Sequence, residues 1–393
     1  MAKRLAIASK ELQLRIVGPF DSFFASRIQR LSMNTDIPTT QIDELGNANH
    51  VGTVTDIPAI TLTFSAFDVG INIFATLTGN DPDAYPGAGV DIGDLGEIDA
   101  IFYVKDANLA NYAKSAHARR LQIRDFTYNY SVDGESTEEY TAVGSEKRWF
   151  KNQVVVDKFT TGTTSFTLSE TPVTLLNGNE LLTVVLDGSY LTEVAAGPAT
   201  GEYSVSGTTL TTGDTRTAQV IAVYQVAFAG GEWSDISDTE SAVAIRGKDV
   251  QVLIGVNSQE RVQSVTINGT LNVQPVREMY NQNIVGYQSQ VPTVEGTVTV
   301  LDTDTDLIDL LVTGQDVSGQ TEFELAGSCA VSGLALEIKL YDPCDTSTVL
   351  KTVYVQSVRI VGDSFTHNVN ENAVQTFNWQ STDASVVIYS GAR

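Results

Sequence analysis

Apolar and polar side chains alternate along much of the chain. Between Ile60 and Ala66 every second residue is apolar, and the residues between them are Thr or Ser. Alternation with a period of two places one row of side chains on one face of an extended strand, so it predicts strands with one buried face. The same pattern predicts strands at 12–16, 31–33, 98–105, 119–132, 137–143, 356–369 and 373–380.

One segment in each half of the chain has helical spacing instead. Apolar residues at 307, 308, 311 and 312 follow an acidic start, which is typical of a short amphipathic helix. Phe67–Thr76 is a weaker equivalent in the first half, and the Asp-Gly of Val132–Glu135 predicts a hairpin turn. Each half therefore reads as a β-sandwich with one helix.

The two halves are copies of one unit, because residues 8–148 and 246–385 form an internal repeat. Residues 27–34 align with residues 261–268 at a shift of 234 positions, with Arg, Gln and Asn identical. The shift later changes by single residues, as short loop insertions produce. A repeat of this length predicts two tandem domains of the same fold.

A third segment lies between the copies and has no counterpart in either. Its apolar runs alternate with Gly-rich turns, which predicts a small, sandwich-like all-β domain inserted between the repeats. It ends in Ala229–Trp233, a Gly-containing stretch that we interpret as a linker. The predicted domains are 1–149, 150–232 and 233–393.

The 393 residues include 48 acidic and 24 basic side chains, which gives a net charge of −24. This charge repels phosphate, so it argues against a protein that grips nucleic acid or an anionic membrane surface. The sequence holds no apolar run long enough to span a bilayer, and Ser9, Lys10 and Glu11 interrupt its first apolar stretch. We therefore expect cytoplasmic synthesis and no membrane binding.

Residue patterns for catalysis or metal binding do not stand out. His50, His117 and His367 have no metal-ligand spacing, so we expect exposed or hydrogen-bonded structural roles for them. We interpret Cys329 and Cys344 as two buried small residues, with a single disulfide as the alternative. The prediction is a protein without enzyme activity, cofactor or metal.

Two acidic segments could be mistaken for calcium sites. Asp302–Asp306 has alternating carboxylates, but Leu307 and Thr313 stand where an EF-hand needs Gly and Glu. Acidic residues at a helix start explain this segment better. The acidic segment Gly79–Glu97 is predicted to be a flexible surface loop, with Ca²⁺ binding as the alternative.

Short motifs in the first copy resemble the tail tube proteins, or major tail proteins, of long-tailed bacteriophages. The motifs are Asp43–Asn47 (DELGN), Val51–Gly52, Asp56–Pro58 and Ala66–Asp68. The second copy departs from them, since it has Met279 and Tyr280 in place of Leu45 and Gly46, and Gln290 in place of Asp56.

The resemblance implies two tandem tube-type β-sandwich domains, each with a short flanking helix, whose strands join those of neighbours in a ring. Stacked rings would form the hollow tube of a virion tail, assembled in the host cytoplasm. A ring of this family presents six such domains, so a chain with two is expected to form a pseudo-sixfold trimer. The inserted domain would then decorate the tube exterior.

The implied partners are other copies of the chain, tail-tip and tail-terminator proteins, the tape-measure protein and double-stranded DNA that passes without sequence-specific binding. Loops 36–51 and 270–285 correspond to the family segment that reaches a neighbouring subunit or ring. Their polar residues recur in both copies, which favours assembly over catalysis. The candidate assembly residues are Glu44, Asn47, Asn49, Glu278, Asn281 and Asn283.

Two alternatives remain open. An all-β chain rich in Gly, Thr and Asp also suits an adhesin or receptor-binding protein, with the inserted domain holding carbohydrate. A phage baseplate or tail-terminator component is close to the first interpretation. If the excess acidic residues line a channel, they would repel DNA phosphates and keep the passing genome from sticking.

Overall fold

The computed structural model describes residues 12–25, 27–45, 49–67, 70–105, 112–160, 162–215, 219–227, 244–255, 257–258, 261–280, 284–301, 334–367 and 372–393. Over these residues the protein is mainly β, as predicted, with one α-helix, α1 (Ile71–Leu77). No helix in the described part of the chain has the length and apolar character to cross a membrane. The predicted second helix, the linker 229–233 and Cys329 lie outside the described residues.

Residues 12–150 form the first unit, in which strands alternate between buried and exposed side chains. Every second side chain of Ala59–Ala66 is buried, and Thr137–Gly144 follows the same pattern. The helix α1 buries Ile73, Phe74 and Leu77 against these strands. The strands of this unit are β1 (Leu12–Val17), β2 (Ser22–Phe24), β3 (Ile28–Asp36), β4 (Thr39–Ile42), β5 (Gly52–Thr55), β6 (Ala59–Ala66), β7 (Val90–Asp91), β8 (Glu97–Lys105), β9 (Tyr112–Ser131), β10 (Thr137–Gly144) and β11 (Glu146–Phe150).

Residues 153–226 form the inserted module, with two four-stranded sheets. Val154, Ile221 and Val223 pack against Val17 and Tyr103 of the first unit, so the module lies on the face of β1 and β8 that points away from that unit's core. Its strands are β12 (Gln153–Phe159), β13 (Ser165–Thr167), β14 (Thr183–Leu186), β15 (Ser189–Tyr190), β16 (Thr192–Glu193), β17 (Glu202–Ser206), β18 (Thr209–Thr212) and β19 (Val220–Val226).

A buried polar cluster fixes the module in place. The Asp99 carboxylate lies 2.8 Å from His117 Nε2 and accepts a 2.7 Å hydrogen bond from the Thr183 hydroxyl of the module. Burial raises the pKa of Asp99, but His117 and the hydrogen bonds from Arg120 N–H and Thr183 outweigh it, so the pKa is lowered. His117 therefore has the hydrogen-bonded structural role that its sequence context predicted.

Residues 250–390 form the second unit, whose described strands pair in the same order as those of the first. The pair β3·β6 corresponds to β22·β25, and β9·β10 corresponds to β27·β28. The strands are β20 (Val250–Ile254), β21 (Asn257–Ser258), β22 (Val262–Thr270), β23 (Gln274–Val276), β24 (Gly286–Gln288), β25 (Thr293–Leu301), β26 (Leu334–Asp342), β27 (Asp345–Thr366), β28 (Val374–Ser381) and β29 (Val386–Ser390).

Irregular features of the backbone recur at matching positions in the two units. The β9·β10 ladder has a bulge opposite Thr141 and Ala142, and β27·β28 has one between Ile360 and Gly362. Arg120 and Ser357, 237 positions apart, both have a left-handed φ of 50°. Residues of the two units can therefore be matched one to one across the bulge, at this shift of 237 positions.

Three sequence predictions need correction. The segment Gly79–Glu97 is not a free surface loop, because it contributes β7, which pairs with β29 of the second unit. Cys344 is exposed in the turn between β26 and β27, where its N–H donates to the Asp342 carboxylate, so it is not a buried small residue. The first helix begins at Ile71 rather than at Phe67.

Candidate assembly edges and hairpins

Strands β9 and β22 join the two units edge to edge. They pair antiparallel from Ser131 opposite Ser264 to Asp125 opposite Thr270, so one 17-stranded sheet runs through both units. The Thr127 hydroxyl donates a 3.1 Å hydrogen bond to the Asn268 side chain across this joint. We call the β9·β22 contact the internal joint.

Apolar side chains line one face of the internal joint. Val265 and Ile267 on β22, and Tyr128 and Tyr130 on β9, are all at most 2% exposed. Gly269 has no side chain because a Cβ there would lie 1.9 Å from the ring of Phe126. This face of the joint is therefore packed like a protein core.

A buried ion pair crosses between the same two units. Lys351 Nζ of β27 lies 2.6 Å from Glu138 Oε1 of β10, and both side chains are fully buried. The hydroxyls of Tyr130 and Tyr140 also donate hydrogen bonds to Glu138, so its carboxylate has protein donors in place of water. Burial and then the Glu138 charge raise the pKa of Tyr140 well above its ordinary value, which keeps this donor protonated.

A short added strand reinforces the contact on another side of the second unit. Val90 and Asp91 of β7 pair with Ile388 and Val387 of β29. The Tyr85 hydroxyl donates a 3.0 Å hydrogen bond to the Ile388 carbonyl, and burial of that hydroxyl raises the pKa of Tyr85. The acidic segment thus holds the units together by pairing its backbone with a sheet edge.

Among the described residues, the counterparts of the two joined edges have no strand beside them. Strand β3, the counterpart of β22, pairs with β6 only. The part of β27 that corresponds to the joined part of β9 pairs with β28 only. Val361 and Phe365 lie on the β27 edge and are 62% and 59% exposed. We call β3 and residues 361–367 the free edges.

The loops that the sequence singled out are two-stranded hairpins. Strands β4 and β5 pair from Thr39 opposite Thr55 to Ile42 opposite Gly52, and β23 and β24 form the matching hairpin in the second unit. Glu44, Asn49 and Glu278 are exposed on them. Asn47, Asn281 and Asn283 lie outside the described residues.

Sequence reasoning missed the apolar residues at the hairpin tips. Leu45 on the first hairpin and Met279 on the second occupy matching positions, and both are essentially fully exposed. Tyr280, next to Met279, is equally exposed. Apolar residues inside otherwise polar loops were the available signal, since such side chains at a projecting tip are typical of contact surfaces.

The second hairpin lies on the first unit. The Tyr287 hydroxyl donates to the Val143 carbonyl at 3.1 Å, and the Ile284 N–H donates to the Ser145 hydroxyl at 3.2 Å. Arg277 Nη1 lies 3.2 Å from the Asp56 carboxylate. The Ile57 N–H and then Arg277 lower the pKa of Asp56.

The first hairpin makes a different set of polar contacts. At the position that matches Arg277 it carries Asp43, whose carboxylate contacts His50 of the same hairpin. Ile42, Val51 and Val54 remain 44% to 55% exposed along it. The first hairpin therefore offers an apolar surface directly after β3, which is one of the two free edges.

Comparison with models of known protein families and with curated proteins finds no match. Within the described residues, no group of three or more His, Cys, Asp or Glu side chains is arranged to hold a metal ion. The joint, the free edges and the hairpins are thus the features from which a function can be argued.

Proposed function

We propose that this protein is a structural component that assembles with copies of itself into rings, and that the rings stack into the hollow tail tube of a long-tailed bacteriophage. The observation that carries the proposal is the internal joint together with the two free edges. The internal joint is one complete contact between two similar units. The β3 edge of the first unit and the β27 edge of the second are the two halves of another such contact.

The internal joint is heterologous, because it brings together two different edges of similar units. A contact of this kind can repeat without limit, and it closes into a ring when the rotation between units permits. The free β3 edge of one copy would pair with the free β27 edge of the next. By analogy with the tube proteins, three chains would supply the six units of one ring.

The position of the inserted module agrees with this assembly. It covers one face of β1 and β8 and leaves both free edges uncovered. We place it on the tube exterior. The net charge of −24 suits a conduit through which DNA and a tape-measure protein pass without binding. The localisation that follows is the virion tail, between tail-tip and tail-terminator proteins.

Negative-stain electron microscopy of the purified chain at rising concentration, with native mass measurement on the same sample, tests the proposal. We expect rings or short tubes whose mass corresponds to three chains per ring. Persistent monomers, even after addition of preformed seeds, would contradict the proposal and favour the alternative of a receptor-binding protein.

A further inference from the structure

The buried ion pair of the internal joint has no exact copy at the free edges. Shifted by 237 positions, Lys351 corresponds to Lys114 and Glu138 corresponds to Gln375. The lysine is therefore kept, whereas the buried carboxylate is replaced by a neutral amide. If two copies join through their free edges, Lys114 of one copy faces a site on the other that needs a different negative charge.

Asp363 supplies such a charge. It is exposed on the free edge of β27, at the position that matches Phe126 of the internal joint. Gln375 Nε2 donates a 3.3 Å hydrogen bond to the Asp363 carboxylate, so the amide and the acid form one polar group. Phe365, which matches Tyr128, lies two residues along the same strand and on the same face.

Lys114 is free to change partners. Its Nζ lies 4.7 Å from the centre of the Trp149 ring, and that side chain is 55% exposed. A cation over an exposed aromatic ring contributes only about 0.5–1 kcal/mol. Lys351, in contrast, lies 5.2 Å from the Tyr128 ring in addition to its contact with Glu138.

We propose that Lys114 of one copy binds the Asp363–Gln375 group of the next, with its ammonium beside the Phe365 ring, and that this contact selects the partner at the chain-to-chain joint. The inference rests on the proposed assembly. It makes the two kinds of joint in a ring chemically distinct, since the internal one is closed by Lys351 and Glu138. The contact thereby directs the free edge of β3 in one copy to pair with the free edge of β27 in another copy.

Charge reversal tests the contact. Lys114→Glu and Asp363→Lys each place like charges together, and we expect either to raise the critical concentration for assembly about tenfold or more. The double variant Lys114→Glu/Asp363→Lys restores opposite charges in every chain-to-chain joint. Its critical concentration should return to within about threefold of the wild type.

Matched reversals at exposed positions away from the joint serve as controls. Lys158→Glu and Glu170→Lys, both on the inserted module, change the net charge in the same way and should leave the critical concentration unchanged. Two results would contradict the Lys114 contact while leaving the tube proposal intact, provided that the wild type assembles. One is that the single reversals assemble as well as the wild type, and the other is that the double variant assembles no better than the single reversals. If the wild type does not assemble, both fail.

Discussion

Replacing Phe365 with Lys is expected to stop assembly at concentrations where the wild-type chain forms rings. In the proposed chain-to-chain joint, Phe365 lies opposite Met33, as Tyr128 lies opposite the buried Ile267 in the internal joint. Burying a Phe side chain contributes about 1.5–3 kcal/mol, so the substitution should raise the critical concentration about 10- to 100-fold per joint. Sedimentation velocity over a concentration series measures this shift.

The exposed Leu176 of the inserted module provides the control for Phe365. It is fully exposed and lies on neither free edge, so Leu176→Lys makes the same chemical change elsewhere. We expect Leu176→Lys to assemble like the wild type, and both variants to melt at the wild-type temperature. Equal assembly by the Phe365 variant and the wild type would show that this edge is not the contact surface.

Replacing Glu138 with Gln is expected to give the largest loss of stability in the chain. The substitution leaves the fully buried Lys351 ammonium without its counter-charge, 213 positions away along the sequence. Breaking a buried ion pair from one side costs about 3–5 kcal/mol, because an uncompensated charge stays in the interior. Urea denaturation followed by tryptophan fluorescence measures the free energy of unfolding.

A double variant separates the ion pair from the packing around it. Glu138→Gln combined with Lys351→Met removes both charges and keeps an amide oxygen that can accept from the Tyr130 and Tyr140 hydroxyls, so we expect it to recover most of the lost stability. The neighbouring Glu139→Gln is the matched control, since its pair with Arg30 is long, at 3.9 Å, and solvent-exposed. Its effect should stay within about 1 kcal/mol. Equal losses for Glu138→Gln and Glu139→Gln would contradict the role assigned to the buried pair.

The sequence predicted the strands well and the contacts between units poorly. The alternation at Ile60–Ala66 reports burial of one face, which is a local property, and α1 was displaced by only a few residues. The internal joint depends on which strand edges pair, and the alternation of apolar and polar residues carries no information about the edges of a strand. The two-residue strand β7 is too short to show any period, so its acidic neighbours dominated the interpretation of that segment.

The candidate residues were found only in part for a similar reason. The repeat located both hairpins, and Glu44, Asn49 and Glu278 are exposed on them as an assembly role requires. The comparison of the two copies favoured identical residues, however. Leu45 and Met279 differ in type and share only an exposed apolar character, so identity could not select them.

The free edges were overlooked in the sequence because they fall within predicted strands. The available signal was on the face of Phe365, where Asp363 and His367 replace the Phe126 and Tyr130 that flank its buried counterpart Tyr128. Only the register shows that Tyr128 has β22 beside it, while the described partner of Phe365 is β28 alone.

The most direct test of the account is a disulfide placed in the predicted chain-to-chain register. Matching the internal pair Thr127 and Asn268 puts Ser364 of one copy opposite Asn34 of the next. In the internal joint, Thr127 and Asn268 lie three positions along their strands from Arg124 and Leu271, whose backbones are hydrogen-bonded to each other. Hydrogen-bonded and non-hydrogen-bonded pairs alternate along an antiparallel ladder, so Thr127 and Asn268 form a non-hydrogen-bonded pair, in which the Cα atoms are about 4.5 Å apart. The same spacing is expected for Ser364 and Asn34. That spacing suits a disulfide.

The experiment uses Asn34→Cys/Ser364→Cys in a chain whose two native cysteines are replaced by Ser, with Thr127→Cys/Asn268→Cys as the internal positive control. Thr35→Cys/Ser364→Cys, one residue out of register, is the negative control, and it leaves Asp363 in place. After oxidation, a denaturing gel run without reductant should show a covalent trimer for the in-register pair and monomers for the out-of-register pair. Monomers for the in-register pair, with the internal control fully bridged, would contradict the account.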